Sequence, residues 1–220
     1  MNTLVTGGSG YLGTFIRDYF TADNLSRRSG LDVTDPDDAS IAGDYDLVIH
    51  LAAHLDKSPE AEKRVFATNI DGTVNVLRSM KKDAVFIFAS TKDVYGRFAD
   101  NHRLVPETCE TLYNGQSAFE WSKLIAERYV EFYAHKNQFR SCIFRASTIY
   151  APDSFGNLPS FVGHFLNTIQ RGDTLTIPGG GRPVRDLLYV EDLAQACKAF
   201  ADSIIRHGLY NLGGGPNNAM

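Results

Sequence analysis

Gly7, Gly10 and Gly13, within Gly7-Gly8-Ser9-Gly10-Tyr11-Leu12-Gly13, stand three apart directly after an apolar run, Thr3-Leu4-Val5, and at the start of a helical stretch. That context suits phosphate binding. Gly7 permits the tight turn, Gly10 lets backbone approach a pyrophosphate, and Gly13 lets helix pack close to strand. The helix N-terminus then faces the phosphates. The expected ligand is a nicotinamide dinucleotide touched by Gly7, Ser9, Gly10, Tyr11, Leu12 and Gly13.

The residues after the second strand discriminate the two dinucleotides. A carboxylate there bonds a ribose 2′-hydroxyl, whereas a cation accommodates a 2′-phosphate. Leu25-Ser26-Arg27-Arg28 supplies two guanidinium groups suited to bidentate phosphate contact, so NADP is favoured. NAD remains possible through another alignment, in which Asp23-Asn24-Leu25-Ser26 is the carboxylate segment. That alignment leaves almost no strand before it, because only Thr14 to Ala22 separate Gly13 from Asp23.

Other reactive side chains point elsewhere. His50 and His54 flank a strand end rather than sharing a helix face, so no metal site is expected. Cys109, Cys142 and Cys197 are widely spaced and odd in number, without metal-ligand or disulfide spacing, which suits a reducing cytoplasm. The formal charge of −4 gives no basic footprint for nucleic acid. No run approaches the roughly 20 apolar residues of a membrane span, and the N-terminus shows no cleavable leader.

Short apolar runs alternate with helical stretches, the order of a parallel sheet covered on both faces. The expected strands are Thr3–Val5, a weak one at Ala22–Ser26, then Asp46–Leu51, Ala84–Ala89 and Ser141–Arg145. The expected helices are Tyr11–Phe20, about Pro59 to Ser79, and Phe119–Ala134. After Tyr150 the composition shifts to Pro, Gly, Asn and Phe, as in a smaller, irregular lobe.

The glycine spacing, preceded by Thr6, resembles the extended short-chain dehydrogenase/reductase superfamily, and the likeness covers nearly the whole chain. It implies a Rossmann-type doubly wound α/β fold. Residues 1–150 would form the NAD(P)-binding domain. Residues 151–220 would form a partial nucleotide-sugar lobe that adds late sheet elements and is cut short at Met220. By this resemblance Asp32-Val33 holds the adenine edge, Leu51-Ala52-Ala53 passes the adenosine ribose, and Asn69 braces the sheet.

Members of this superfamily use a Ser/Thr, a Tyr and a Lys. The Tyr exchanges a proton with a sugar hydroxyl, the Lys lowers the Tyr pKa and holds the nicotinamide ribose, and the hydroxyl steadies an oxyanion. Phe88-Ala89-Ser90-Thr91-Lys92-Asp93-Val94-Tyr95-Gly96 resembles the strand-end motif of nucleotide-sugar epimerases and dehydratases. It implies Thr91 as the catalytic hydroxyl, with Ser90 beside it toward cofactor and substrate. Lys92 and Asp93 replace the Asp-Glu pair of sugar 4,6-dehydratases, which argues against simple dehydration and leaves Asp93 as a candidate acid/base.

Ser117-Ala118-Phe119-Glu120-Trp121-Ser122-Lys123 matches the Tyr-x-x-x-Ser-Lys segment, with Phe119 in the Tyr position and Lys123 retained. Phenylalanine has no proton to exchange. Three explanations follow, in order of preference: an engineered variant that traps substrate, a natural member whose acid/base moved to Asp93, Lys92 or Tyr113, or a cofactor-binding protein without chemistry.

Phe144-Arg145-Ala146-Ser147-Thr148-Ile149-Tyr150-Ala151-Pro152 resembles a substrate segment, with Thr148 replacing its usual Asn. Leu158-Pro159-Ser160-Phe161 resembles a nucleotide-pocket wall. Residues 179–192 resemble the Arg-Asp-x-x-x-Val-x-Asp segment, which implies a diphosphate-binding role for Arg185. The implied activity is that of an NAD(P)-dependent nucleotide-sugar epimerase/dehydratase, acting by transient oxidation of a sugar hydroxyl and impaired by Phe119. The alternatives are an NADPH-dependent 4-keto-sugar reductase and a catalytically silent dinucleotide binder. A homodimer, packed through the helices near Pro59–Ser79 and Phe119–Ala134, is implied by the resemblance alone.

Overall fold

The computed structural model describes residues 1–151, 161–177 and 184–215. Pro152, the 158–160 wall, the 179–183 glycine-rich segment and the residues from Pro216 lie outside them; of Phe161 only the backbone is described.

In chain order the elements are β1 Thr3–Thr6, α1 Tyr11–Phe20, β2 Asp23–Leu25, α2 Pro36–Ser40, β3 Leu47–His50, α3 Glu62–Phe66, α4 Gly72–Ser79, β4 Val85–Thr91, α5 Ala118–Asn137, β5 Arg140–Ala146, β6 Thr148–Tyr150, α6 Phe161–Gln170, β7 Leu187–Tyr189, α7 Val190–Asp202 and β8 His207–Leu212. Six strands form one parallel sheet in the order β2-β1-β3-β4-β5-β8. The expected doubly wound sheet is present.

Coverage on both faces explains why these runs are mainly apolar. Leu47, Ile49, Val85, Ile87, Cys142 and Phe144 face Ile16 of α1 and Leu193, Cys197 and Phe200 of α7. Val48, Phe86, Phe88 and Ile143 face Val76 and Leu77 of α4 and Val130 and Ala134 of α5. Both faces are covered, so period-two alternation places mainly apolar residues on each. β8 pairs with β5 from Ser141↔His207 to Ala146↔Leu212, so the last described strand completes the main sheet. β6 and β7 pair separately beside it.

The expected single helix from Pro59 to Ser79 is interrupted. A 3-10 turn at Pro59–Ala61 precedes α3, and a π turn at Ala67–Asp71 separates α3 from α4. The wider turn carries the buried Asn69. α5 begins with a capping box: the Ser117 amide donates to the Glu120 carboxylate at 2.7 Å and the Phe119 amide to Ser117 Oγ at 3.3 Å. The chain order reverses between β1, which neighbours β2, and β3, so the crevice at the carboxyl ends of these strands is the expected ligand site.

Candidate active site

The glycine turn leaves β1 at that crevice. Gly7 has φ +70°, and a Cβ there would lie 2.8 Å from the Ala52 amide nitrogen. A Cβ on Gly13 would run into the Gly7 carbonyl, so no side chain fits between helix and turn. Gly10 caps α1 with no side-chain hydrogen bond, and the first turn holds no acidic residue. The helix terminus therefore offers amides without a competing carboxylate, which fits a pyrophosphate.

The second strand meets the turn through its last residues. Leu25 pairs with Thr6, and its carbonyl accepts the Gly7 amide at 2.8 Å. Asp23 pairs two residues deeper, with Leu4, and accepts the Tyr45 hydroxyl at 3.0 Å just before β3. This register directs Asp23 toward the amino ends of the strands, away from the crevice. Ser26 and Arg28 instead reach the glycine turn. Ser26 Oγ and Asn24 Nδ2 each donate to Ser9 Oγ at 2.8 Å, and Arg28 donates to the Ser9 carbonyl at 2.9 Å. Arg27 is exposed on the same short turn.

Leu51-Ala52-Ala53 leaves β3 beside the turn, with the Ala52 amide donating to Thr6 Oγ1 at 3.2 Å. Asp32 is half-buried and accepts the Thr34 amide at 3.0 Å, while Val33 is buried against Gly72. Several expected contact residues have their polar atoms engaged inside the protein. Asn69 accepts the His54 amide at 2.8 Å and donates to Ser122 Oγ at 2.9 Å, so it braces the loop after β3 against α5 rather than the sheet itself. The Tyr11 hydroxyl exchanges two 2.7 Å bonds with the Ala151 backbone, and Leu12 packs into the core under α1. His50 lies between Thr6 Oγ1 at 2.8 Å and Thr73 Oγ1 at 3.0 Å. Burial, with the nearby Lys123 charge, lowers its pKa to about 3, which keeps it neutral.

β4 and α5 supply the catalytic candidates. Thr91 ends β4 and its hydroxyl accepts the Asp93 amide at 3.2 Å. Lys123 is buried, donates to the Ala89 carbonyl at 2.8 Å and lies 4.7 Å from the Phe88 ring centroid. Burial pulls its pKa down to about 8, although the Glu127 charge opposes this. Phe119 sits one turn before Lys123, packed on Ala61 and Val65. Over its ring lies the Lys57 ammonium, 5.4 Å from the centroid. Lys57 pairs with Glu120 and, at 3.1 Å, with Asp93; Asp93 also holds Lys92 at 2.8 Å. Burial raises the Asp93 pKa, but the two lysines outweigh it and keep the group an ionised carboxylate. Tyr113 is exposed, edge-on to Trp121.

Of these groups Lys57, Lys92, Asp93 and Glu120 line a cleft of about 820 Å³, whose lining also includes Ser147, Arg185, Asp186 and Asn211. Arg185 is exposed and donates only to the neighbouring Val184 carbonyl at 3.1 Å. Thr148 lies in β6, with its amide on the Asp186 carbonyl at 3.1 Å. Ser90 points into the protein, where its hydroxyl donates to Glu127 at 2.5 Å. Glu127 also takes Arg145 at 2.6 Å, Arg145 donates to the Tyr95 hydroxyl at 3.0 Å, and Tyr95 donates to Asn211 at 2.6 Å. This chain ties β4, α5, β5 and β8 together under the cleft.

Sequence reasoning overlooked Lys57, Glu120, Glu127 and Tyr95. One signal was available: an arginine in a strand buried on both faces demands a carboxylate, and Glu127 lies one turn beyond Lys123. Among the described residues no group of three or more His, Cys, Asp or Glu could hold a metal, and no helix is long and apolar enough to cross a membrane.

A model of the NAD-dependent epimerase/dehydratase family matches residues 3–213. dTDP-D-glucose 4,6-dehydratase of Dictyostelium discoideum is 31% identical over 183 residues, which cover 76% of this chain and 41% of that protein. The chain thus spans less than half the length of that relative. The structure of UDP-glucose 4-epimerase from Thermotoga maritima with UDP-glucose superposes with a TM-score of 0.80 at 27% identity, over 97% of this chain and 77% of that one. UDP-glucose 4-epimerase of Thermus thermophilus in complex with NAD shares the fold at 24% identity, with a TM-score of 0.79 over 97% and 78% of the two chains. The glycine cradle, the β4 and α5 motifs and the match over nearly the full length make this chain a member of the NAD-dependent epimerase/dehydratase family, of the extended short-chain dehydrogenase/reductase type.

Proposed function

We propose that the chain binds a nicotinamide dinucleotide on the glycine turn and acts on a nucleotide-diphosphate sugar, as an epimerase/dehydratase-type oxidoreductase impaired by Phe119. The observation that carries this reading is that Lys123 is anchored on the Ala89 carbonyl, two residues before Thr91, at the carboxyl end of β4. When bound, the dinucleotide supplies hydride transfer at nicotinamide C4. Lys123, with a pKa near 8, is largely protonated at neutral pH and would hold the nicotinamide ribose. The Thr91 hydroxyl donates to charge that develops on a substrate oxygen. Arg185 clamps the substrate diphosphate. The transient-oxidation chemistry also needs a base at position 119, and phenylalanine provides none.

NADP is the favoured dinucleotide. Ser9, Ser26 and Arg28 form a donor-rich rim with Arg27 beside it, and Asp23 faces the opposite end of its strand. The Thermus thermophilus relative binds NAD, so NAD is the competing assignment. The same rim favours a second reading, an NADPH-dependent reductase of a 4-keto sugar. Phe119 by itself favours a silent dinucleotide binder. A homodimer packed through α4 and α5, whose outer face exposes Phe132, and a cytoplasmic setting complete the proposal.

The test compares wild type with Phe119→Tyr across UDP- and dTDP-hexoses and their 4-keto derivatives, with NAD(H) and NADP(H). The restored phenol is expected to raise sugar-dependent turnover by about 10²–10⁴-fold. Tight dinucleotide binding with no turnover by either protein would leave the silent reading standing.

A further inference from the structure

Lys57 lines the cleft and reaches the residue that stands in the position of the expected phenol. Its ammonium lies over the Phe119 ring at 5.4 Å from the centroid, bonds Asp93 Oδ2 at 3.1 Å and pairs with Glu120 at the start of α5. Asp93 in turn donates its amide to Thr91 Oγ1. Asp93 therefore links Lys57 to Thr91, and Lys57 lines the cleft with Asp93 and Glu120 and keeps half of its side chain open to solvent.

The other groups near position 119 are poorer donors. Asp93 is held ionised by Lys92 and Lys57 and has no proton to give. Lys123 is buried behind the wall on the Ala89 carbonyl. Tyr113 is 70% exposed and does not line the cleft. Lys92 meets Asp93 but is not on the Phe119 ring.

We propose that Lys57 is the proton-donating group of this site, in place of the phenol absent at position 119, and that it suits the site to ketone reduction rather than alcohol oxidation. The inference rests on the nucleotide-sugar reading above. In the reaction a substrate carbonyl loses its π bond. Its carbon takes hydride from the reduced dinucleotide, which leaves oxidised, and its oxygen takes the proton from Lys57 Nζ. The Thr91 hydroxyl steadies the oxygen as charge develops. The resulting amine regains a proton from solvent through its open half. An alkoxide is far more basic than an amine, so transfer runs downhill.

The reverse direction needs Lys57 as a neutral base. Burial alone would favour that form, but the Glu120 hydrogen bond and the Asp93 charge outweigh it and hold Lys57 above its ordinary range. The facing groups are Glu120 and Ser117 from α5 and Asp93 and Lys92 from the turn after β4. All but Ser117 are charged, and the two carboxylates favour the ammonium.

The deciding variants are Lys57→Arg, which keeps the pairs with Glu120 and Asp93 but cannot release a proton, and Lys57→Met. The probes are UDP- and dTDP-4-keto-6-deoxyglucose with NADPH, followed by cofactor absorbance. Wild type is expected to reduce at least one probe at neutral pH, where its carboxylate partners hold Lys57 as the ammonium. Both variants should lose about 10²-fold or more in kcat with little change in KM. Adding Phe119→Tyr to either should restore turnover.

A second readout needs no dinucleotide. The Lys57 13Cε resonance, identified by its loss in Lys57→Arg, should shift when UDP-glucose or dTDP-glucose is added, with binding followed by calorimetry. Unchanged kcat in Lys57→Arg and Lys57→Met, or a silent Lys57 resonance despite binding, overturns the proposal. Activity in Phe119→Tyr with none in wild type overturns it as well, while the nucleotide-sugar reading stands. If neither protein binds or reduces any probe, the nucleotide-sugar reading itself fails, and the Lys57 role with it.

Discussion

The glycine turn and the charged wall of the cleft are built by opposite means. The turn is backbone and absence: Gly7 and Gly13 have no room for a Cβ, Gly10 brings no cap, and the neighbouring His50 is neutral. The cleft wall is charge. Lys57 is shared between Glu120 and Asp93, Lys92 closes on Asp93, and Arg145 on Glu127 holds the floor. A turn made of missing side chains tolerates almost no addition. A wall of ion pairs tolerates exchange of one partner only if the other is not left buried and alone.

The strongest challenge to that contrast is Arg145→Met. Arg145 and Glu127 each have 3% side-chain exposure, so the variant strands a carboxylate. Loss of one partner of such a pair costs about 3–5 kcal/mol, which thermal unfolding would register as a fall of roughly 10–15 °C for a domain of this size. A smaller loss would mean that Glu127 finds water or protonates.

Lys123→Met sharpens the contrast through pH. The Lys123 pKa is about 8 in the folded protein, against the ordinary lysine value of 10.5 once unfolded, so between those values the unfolded chain binds the extra proton. Stability therefore rises with pH across that window. Without dinucleotide, wild type should gain on the order of 3 kcal/mol over Lys123→Met from pH 8 to 10.5, at about 1.4 kcal/mol per unit. Chemical denaturation at several pH values measures it, and parallel curves would refute the burial cost.

Gly13→Ala tests the glycine turn. Overpacking costs about 1–3 kcal/mol, so dinucleotide affinity by calorimetry should fall by roughly 10–100-fold. The smallest effect is expected at the rim. Arg28→Gln should weaken NADP about 10-fold and leave NAD within about 2-fold, a difference of about 1 kcal/mol for one exposed charge-assisted contact. Equal losses for both would assign Arg28 to holding Ser9 alone.

Legibility in the sequence follows the same division. α1 begins and ends where expected, at Tyr11 and Phe20, because a glycine turn and an apolar stripe specify it locally. β3, β4 and β5 were legible because strands covered on both faces are near-continuous apolar runs. The π turn at Ala67–Asp71 was not, since the bond from Asn69 to His54 that accompanies it joins residues 15 apart. Ser90 looked like a site residue by its neighbours in sequence. Its partner, Glu127, is 37 residues away and turns the hydroxyl inward.

The sequence by itself determined the doubly wound sheet, the glycine turn, the family and the phenylalanine in the Tyr position at Phe119, because each depends on residue type at short spacing. Only the tertiary structure decided which end of β2 faces the turn, that Ser90 points inward, that Asn69 braces the loop after β3 rather than the sheet, and that Lys57 lies over Phe119. Those outcomes depend on register and on ion pairs between distant segments, where burial and charge are settled only after the chain has closed on itself.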